Sequence, residues 1–84
     1  MTSARVTLLG KPGCHLCDDA RAVIATVLPE FPGVELEELS ILDDAELLEK
    51  YVEEIPVVLI NDRVHNIWRV DPDRFRTALE EATA

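Results

Sequence analysis

The sequence predicts an α/β domain in which a four-stranded mixed sheet is packed with three helices in the order β-α-β-α-β-β-α. Three observations lead there. Two short apolar runs, Val6–Leu9 and Val57–Ile60, are bounded by turn residues and read as buried strands. Three stretches, opening near Leu16, Asp43 and Pro72, carry apolar residues at helical spacing. In the first half, two strands joined through a helical crossover should pair in parallel, whereas in the second half the two-residue link Asn61-Asp62 calls for an antiparallel hairpin.

Each element has its own reason. Val6–Leu9 is short, apolar and β-branched at its start. Gly10 to Gly13 is a turn, signalled by Pro12 and Gly13. Leu16, Ala20, Val23, Ile24, Val27 and Leu28 then form a helical stripe, with Asp18 and Asp19 in the first turn, where the helix dipole favours negative charge. Pro29, Pro32 and Gly33 end that helix and force a loop. In Val34–Leu39, Val34 and Leu36 alternate with Glu35 and Glu37, as in a half-buried strand. Asp43 with Glu46 three residues on resembles a capping box, and Leu48, Tyr51 and Val52 supply a short apolar stripe ending near Glu54. Ile55-Pro56 precedes the strand Val57–Ile60, and Arg63–Trp68 returns antiparallel beyond Asn61-Asp62. Asp71-Pro72 is a helix cap followed by proline at the first helical position. Phe75, Ala78, Leu79 and Ala82 face the core from the helix Pro72–Ala82.

The chain of 84 residues fits one domain, spanning 1–84. At this size only about 60–65% of the unfolded surface is buried on folding, so stability is expected to be modest. An apolar fraction of 48% is ordinary for a globular core, and no apolar run is long enough for a bilayer. Met1-Thr2-Ser3-Ala4-Arg5 leads straight into strand pattern without a basic-then-apolar leader, so a cytoplasmic location is expected. The net charge of −9 argues against nucleic acid and against an anionic membrane as partners. Acidic clusters at Asp43-Asp44, Glu53-Glu54 and Glu80-Glu81 read as solvated faces and loop ends. His15 and His65 make no motif with each other.

Cys14-His15-Leu16-Cys17 carries the chemistry. It lies between a buried strand and an amphipathic helix, so Cys14 falls at a helix start. Unpaired N–H groups and the positive end of the helix dipole stabilise an anion there. The thiolate is the nucleophile of disulfide exchange. Cys17, one turn along, can attack the resulting mixed disulfide and release the substrate. In a cytoplasmic chain a lone CxxC is a catalytic or metal-binding pair rather than a structural staple.

This element order, with CxxC after the first strand, resembles the thioredoxin-like fold in its minimal, glutaredoxin-like form, over nearly the whole chain. The resemblance rests on Cys14-His15-Leu16-Cys17 at the redox position, Lys11 three residues before the first cysteine, and Ile55-Pro56 before a buried strand, at the family's cis-proline position. Gly10-Lys11-Pro12-Gly13-Cys14-His15-Leu16-Cys17-Asp18 looks most like the small bacterial glutaredoxin-like proteins. The chain departs from glutathione-using glutaredoxins in two places. Where those carry a Gly-Gly pair and a polar helix start, it has Asn66-Ile67-Trp68-Arg69-Val70-Asp71, in which only Asp71 fits the cap. The position between the cysteines that is often aromatic is Leu16.

The resemblance implies a thiol–disulfide oxidoreductase with Cys14 as nucleophile and Cys17 as resolving thiol. Lys11 and His15 would add positive charge near the thiolate, and Asp71 would help hold substrate. A cis Pro56 would leave the Ile55 backbone free to bind a substrate strand. Trp68 is expected in core or hairpin packing ahead of the site edge. No bound cofactor or metal is expected. The expected partners are protein disulfides, with glutathione, another low-molecular-weight thiol or a reductase as electron donor, and a monomer is expected. Two other readings stand beside this one: a soft-metal carrier for zinc or copper, and a binding module of the same fold with little redox activity. Such metal carriers usually run β-α-β-β-α-β, without the closing helix expected here.

Overall fold

The computed structural model describes residues 4–83. Met1, Thr2 and Ser3, part of the stretch read for a leader, lie outside the described residues. The elements run β1 (Arg5–Gly10), α1 (His15–Val27), β2 (Glu35–Ser40), α2 (Ala45–Tyr51), β3 (Val57–Ile60), β4 (Arg63–Ile67) and α3 (Pro72–Thr83). The sheet order is β2-β1-β3-β4. β1 pairs in parallel with β2, from Arg5↔Glu35 to Gly10↔Ser40, and antiparallel with β3 from Val6↔Ile60 to Leu9↔Val57. β3 and β4 form the hairpin.

The two central strands are largely apolar, with Thr7 the one buried polar side chain among the described residues, because both of their faces are covered. Val6 and Leu8 of β1, with Val58 and Ile60 of β3, meet Ala20, Ile24 and Val27 of α1 and Phe75 and Leu79 of α3. The alternate residues Leu9 and Val57 face the other way, into a cluster with Ile41, Tyr51, Ile55 and Cys17. This is the period-2 pattern of a sheet between two layers, and it explains why these runs read as continuous rather than alternating.

The turns follow their chemistry. Asn61 and Asp62 both have positive φ (51° and 67°), as a two-residue hairpin turn of the primed type requires. Arg5 fastens that turn to β1: its backbone N–H donates to Asn61 Oδ1 at 3.0 Å and its guanidinium reaches Asp62 at 2.9 Å. Asp71 Oδ1 accepts the N–H groups of Asp73 and Arg74 at 2.9 and 3.3 Å, capping α3 with Pro72 at its first position.

Several expectations need correction. α1 ends at Val27, just before Pro29, as expected, but it does not pass straight into loop. Leu28–Glu30 continues as a 3-10 turn, with Pro29 near its start, where a missing N–H costs nothing. The α2 cap is Asp44, not Asp43. Asp44 Oδ1 accepts from Glu46 and Leu47, while Asp43 belongs to the preceding 3-10 turn Ile41–Asp43, capped by Ser40. Of the α2 stripe, only Tyr51 is buried. Leu47 packs beside it on the core, whereas Leu48 and Val52 are turned sideways to solvent. β2 is an edge strand, exposed along nearly its whole length, with Leu36 itself 39% exposed. Trp68 is not core: it follows β4 with φ +68° and is 54% exposed.

Candidate active site

The end of β1 and the start of α1 bring the two cysteines together. Gly13 (φ +78°) turns the chain, and Cys14 then adopts extended backbone as the N-cap of α1. A capping residue offers its side chain to the orphan amides of the first turn. Here that side chain is a sulfur: Cys14 Sγ accepts the Cys17 N–H at 3.3 Å, and the Cys14 carbonyl accepts the Asp18 N–H at 3.1 Å. Cys14 is half-buried. Cys17 is 1% exposed and both are free thiols.

The two sulfurs occupy different environments. Cys17 lies on the apolar bed of Leu9, Ile41, Tyr51, Ile55 and Val57, with Cys14, Leu47 and Ile67 at its edge. Burial pushes the Cys17 thiol up to about 11, because the apolar bed disfavours a thiolate. The Cys14 sulfur adds to the rise by hydrogen bond and by charge, while the Lys11 backbone and Arg21 oppose it.

The sequence places Gly10 in a turn, yet it is the last residue of β1 and lies directly against Cys17. A Cβ at Gly10 would fall 2.8 Å from Cys17 Sγ and 3.2 Å from Cys17 Cβ. The absence of a side chain is what lets the sulfur lie against the end of the strand. The only trace of this in the sequence is a glycine directly after the apolar run.

The other expected site residues are placed as follows. Lys11 is exposed in the turn between β1 and Cys14, and lines a groove of about 360 Å³ on the Cys17 side with Gly10, Gly13, Arg21, Glu38 and Ser40. Arg21 there is engaged by Asp18 at 2.8 Å and Glu38 at 2.7 Å. His15 is the first residue of α1 and is exposed. Ile55-Pro56 is a cis peptide, and the Ile55 side chain joins the cluster that holds Cys17. Ile55 precedes the β1–β3 ladder, which ends at Leu9↔Val57, so its backbone lies outside the sheet pairing. Asp71 is at the head of α3 with its carboxylate already engaged as cap.

Trp68 adjoins the same region. Its backbone N–H donates to the Pro56 carbonyl at 2.8 Å and its indole Nε1–H to the Glu53 carbonyl at 3.1 Å. His65 belongs elsewhere. It is the extra residue where the β3–β4 register shifts, its ring centroid is 6.0 Å from that of Phe75 in the α1/α3 layer, and its Nε2 is buried without a hydrogen-bond partner. Burial, and then Arg74, push it below the usual imidazole range. Among the described residues, no three His, Cys, Asp or Glu side chains come together as a metal site. None of the described helices is long and apolar enough to cross a membrane.

Comparison with known proteins adds to this geometry. The profile of the Glutaredoxin-like domain (DUF836) matches residues 5–80. Rv0508, an uncharacterised protein of Mycobacterium tuberculosis, is 25% identical over 87 residues, covering 99% of this chain and 90% of its own. The X-ray structure of XcR50 from X. campestris superposes with a TM-score of 0.74 at 30% identity, covering 92% of this chain and 97% of that one. Ne2328 from Nitrosomonas europaea reaches a TM-score of 0.78 at 24% identity, over 90% and 91% of the two chains. The oxidised thioredoxin of Plasmodium falciparum shares 10% identity but has a TM-score of 0.67 over 96% of this chain and 82% of its own. At that identity the likeness concerns the fold alone, which is thioredoxin-like.

Proposed function

The chain belongs to the glutaredoxin-like domain family, and from that premise we propose that it is a thiol–disulfide oxidoreductase acting on protein disulfides or mixed disulfides. The observation that carries this reading is the asymmetry of the two sulfurs at the head of α1: one accepts a helix N–H and is half-exposed, the other is buried as a thiol. The Cys14 thiolate attacks a substrate disulfide, forming a Cys14–substrate mixed disulfide and expelling one substrate thiolate. Cys17 then loses its proton and attacks Cys14 Sγ, releasing the second substrate thiol and closing a Cys14–Cys17 disulfide. Two electrons pass to the substrate.

The order of events has a physical support. While Cys14 is free, its hydrogen bond and charge help hold Cys17 protonated. Once Cys14 is bonded to substrate, both effects are gone and the resolving thiol ionises more readily. No bound cofactor is needed. Reduction of the resulting disulfide takes glutathione, another small thiol or a reductase as donor. A cytoplasmic setting goes with this reading, since a lone CxxC cycling between two states suits a reducing compartment.

Role asymmetry is the test. Cys14→Ser should abolish reduction of a model disulfide, whereas Cys17→Ser should accumulate a mixed disulfide visible by intact mass. Equal alkylation rates for the two thiols at neutral pH, with activity surviving in Cys14→Ser, would refute the assignment.

A further inference from the structure

Trp68 is a large aromatic side chain that the fold holds outside the core. Its φ of +68° is a backbone region that bulky residues seldom occupy. Two hydrogen bonds fix it there, one from its backbone to Pro56 and one from its indole to Glu53. More than half of it faces solvent. The residues it is bonded to lead directly into Ile55, which packs in the same cluster as Cys14 and Cys17. A rigid, exposed aromatic beside a redox pair is the kind of anchor that dominates protein recognition.

The surface around that anchor is acidic. The segment 46–54, which runs from α2 to the carbonyl that Trp68 engages, carries Glu46, Glu49, Glu53 and Glu54 against one lysine, Lys50. Glu46 and Glu49 are one helical turn apart on α2, and Glu53 continues the line beyond its end to the carbonyl that Trp68 engages. Glu54 adjoins it, and Lys50 is drawn over the Tyr51 ring at 5.2 Å. Arg69, next in the chain, is the base adjoining Trp68. We infer that this surface selects the substrate: a polypeptide disulfide flanked by lysine or arginine, docked against Trp68 with its positive charges on Glu53 and Glu54. A second copy of this chain fits poorly, because each carries a net charge of −9.

This inference rests on the redox reading, and the two are separable by experiment. A neutral small disulfide, bis(2-hydroxyethyl) disulfide, reports the dithiol chemistry alone, and failure to reduce it would refute the redox reading. Substrate selection is read from matched peptide mixed disulfides differing only in flanking Lys or Glu, as kcat/KM at about 20 mM and about 500 mM salt. The Lys-flanked peptide should be preferred about tenfold at low salt, through about two close charge pairs, and this preference should collapse at high salt. Glu53→Gln with Glu54→Gln should remove most of the preference. Glu80→Gln with Glu81→Gln makes the same change in net charge at the far end of α3, about 14 Å along the helix from Asp71, and should leave the preference within about twofold. Trp68→Gly should lower the ratio of peptide to small-disulfide turnover. Equal turnover of the two peptides, or equal loss of preference in the near and remote pairs, would overturn the inference. So would self-association that Trp68→Gly abolishes.

Discussion

Gly10→Ala tests the packing that separates the two sulfurs. The added Cβ would stand 2.8 Å from Cys17 Sγ and 3.2 Å from its Cβ, where an ordinary contact between heavy atoms is about 3.5–4.0 Å. The sulfur must therefore retreat by about 1 Å or change rotamer. Either movement takes it into a bed of Leu9, Ile41, Tyr51, Ile55 and Val57 that has little room to give. Overpacking of this kind costs about 1–3 kcal/mol, which urea denaturation of the reduced protein will read as a lower midpoint with unchanged slope. The effect on chemistry should be selective. Attack by Cys14, followed by alkylation rate, should change little because its N-cap contact is intact. Resolution by Cys17, followed as release of the second thiol from a preformed mixed disulfide, should slow by about 10- to 100-fold for a misplacement of that size.

A double-mutant cycle closes the reasoning. In a Cys17→Ala background the sulfur is gone and only the Cβ contact at 3.2 Å remains, so Gly10→Ala should cost about 1 kcal/mol less there. An equal cost in both backgrounds would show that the glycine serves the strand backbone rather than the sulfur. A Gly10→Ala protein with wild-type stability and wild-type resolution would refute the steric account outright.

Three further outcomes are expected. Because the folded state raises the Cys17 thiol from the ordinary 9.0 to about 11, its contribution to stability is complete below about pH 9 and is lost as pH climbs through about 11. The loss, about 2–3 kcal/mol, should be seen in melts of the reduced protein and be absent from Cys17→Ala. Asp44→Ala and Asp71→Ala each remove a side chain that accepts two helix amides and should each cost about 1 kcal/mol, measured by denaturant titration. Activity in a glutathione-coupled assay should be weak beside that with a dithiol or protein reductant, since the resemblance to glutaredoxins puts the bulky Ile67 and Trp68 where the glutathione-using ones are expected to carry glycines. Saturable amide shifts centred on Lys11, Cys14, Ile55 and Asp71 on titration with glutathione would contradict this.

What was legible in the sequence is what short-range chemistry determines. β1 and β3 announce themselves because both faces of each are buried, the hairpin because Asn61-Asp62 tolerates two positive φ values, and α3 because the cap Asp71 with Pro72 at the first helical position is followed by a helical apolar stripe. The dithiol is legible because a strand, a glycine turn and an amphipathic stripe leave Cys14 little choice but the N-cap. The misplacements come from competition between neighbours. Ser40 and Asp44 are both good caps, and the first closes a 3-10 turn that absorbs Asp43, so α2 begins one residue later than the Asp43–Glu46 pair implied. The alternation of β2 looked half-buried, but its place at the sheet edge is fixed by sheet order, which no local pattern encodes.

Gly10 and Trp68 escaped for one shared reason: each acts through a contact distant in sequence. Gly10 meets Cys17 seven residues on, and Trp68 reaches back fifteen residues to Glu53. Composition weighs Trp68 toward the core, where its apolar area would be worth most. Two hydrogen bonds and a left-handed backbone hold it out instead. A bulky residue in that region costs about 1–3 kcal/mol, so the bonds to Pro56 and Glu53 must largely offset it. Replacement by glycine would relieve the backbone at no loss of core packing. Trp68→Gly should therefore leave global stability within about 1 kcal/mol while stripping the aromatic surface beside the dithiol, so that any large fall in peptide turnover reports docking rather than unfolding.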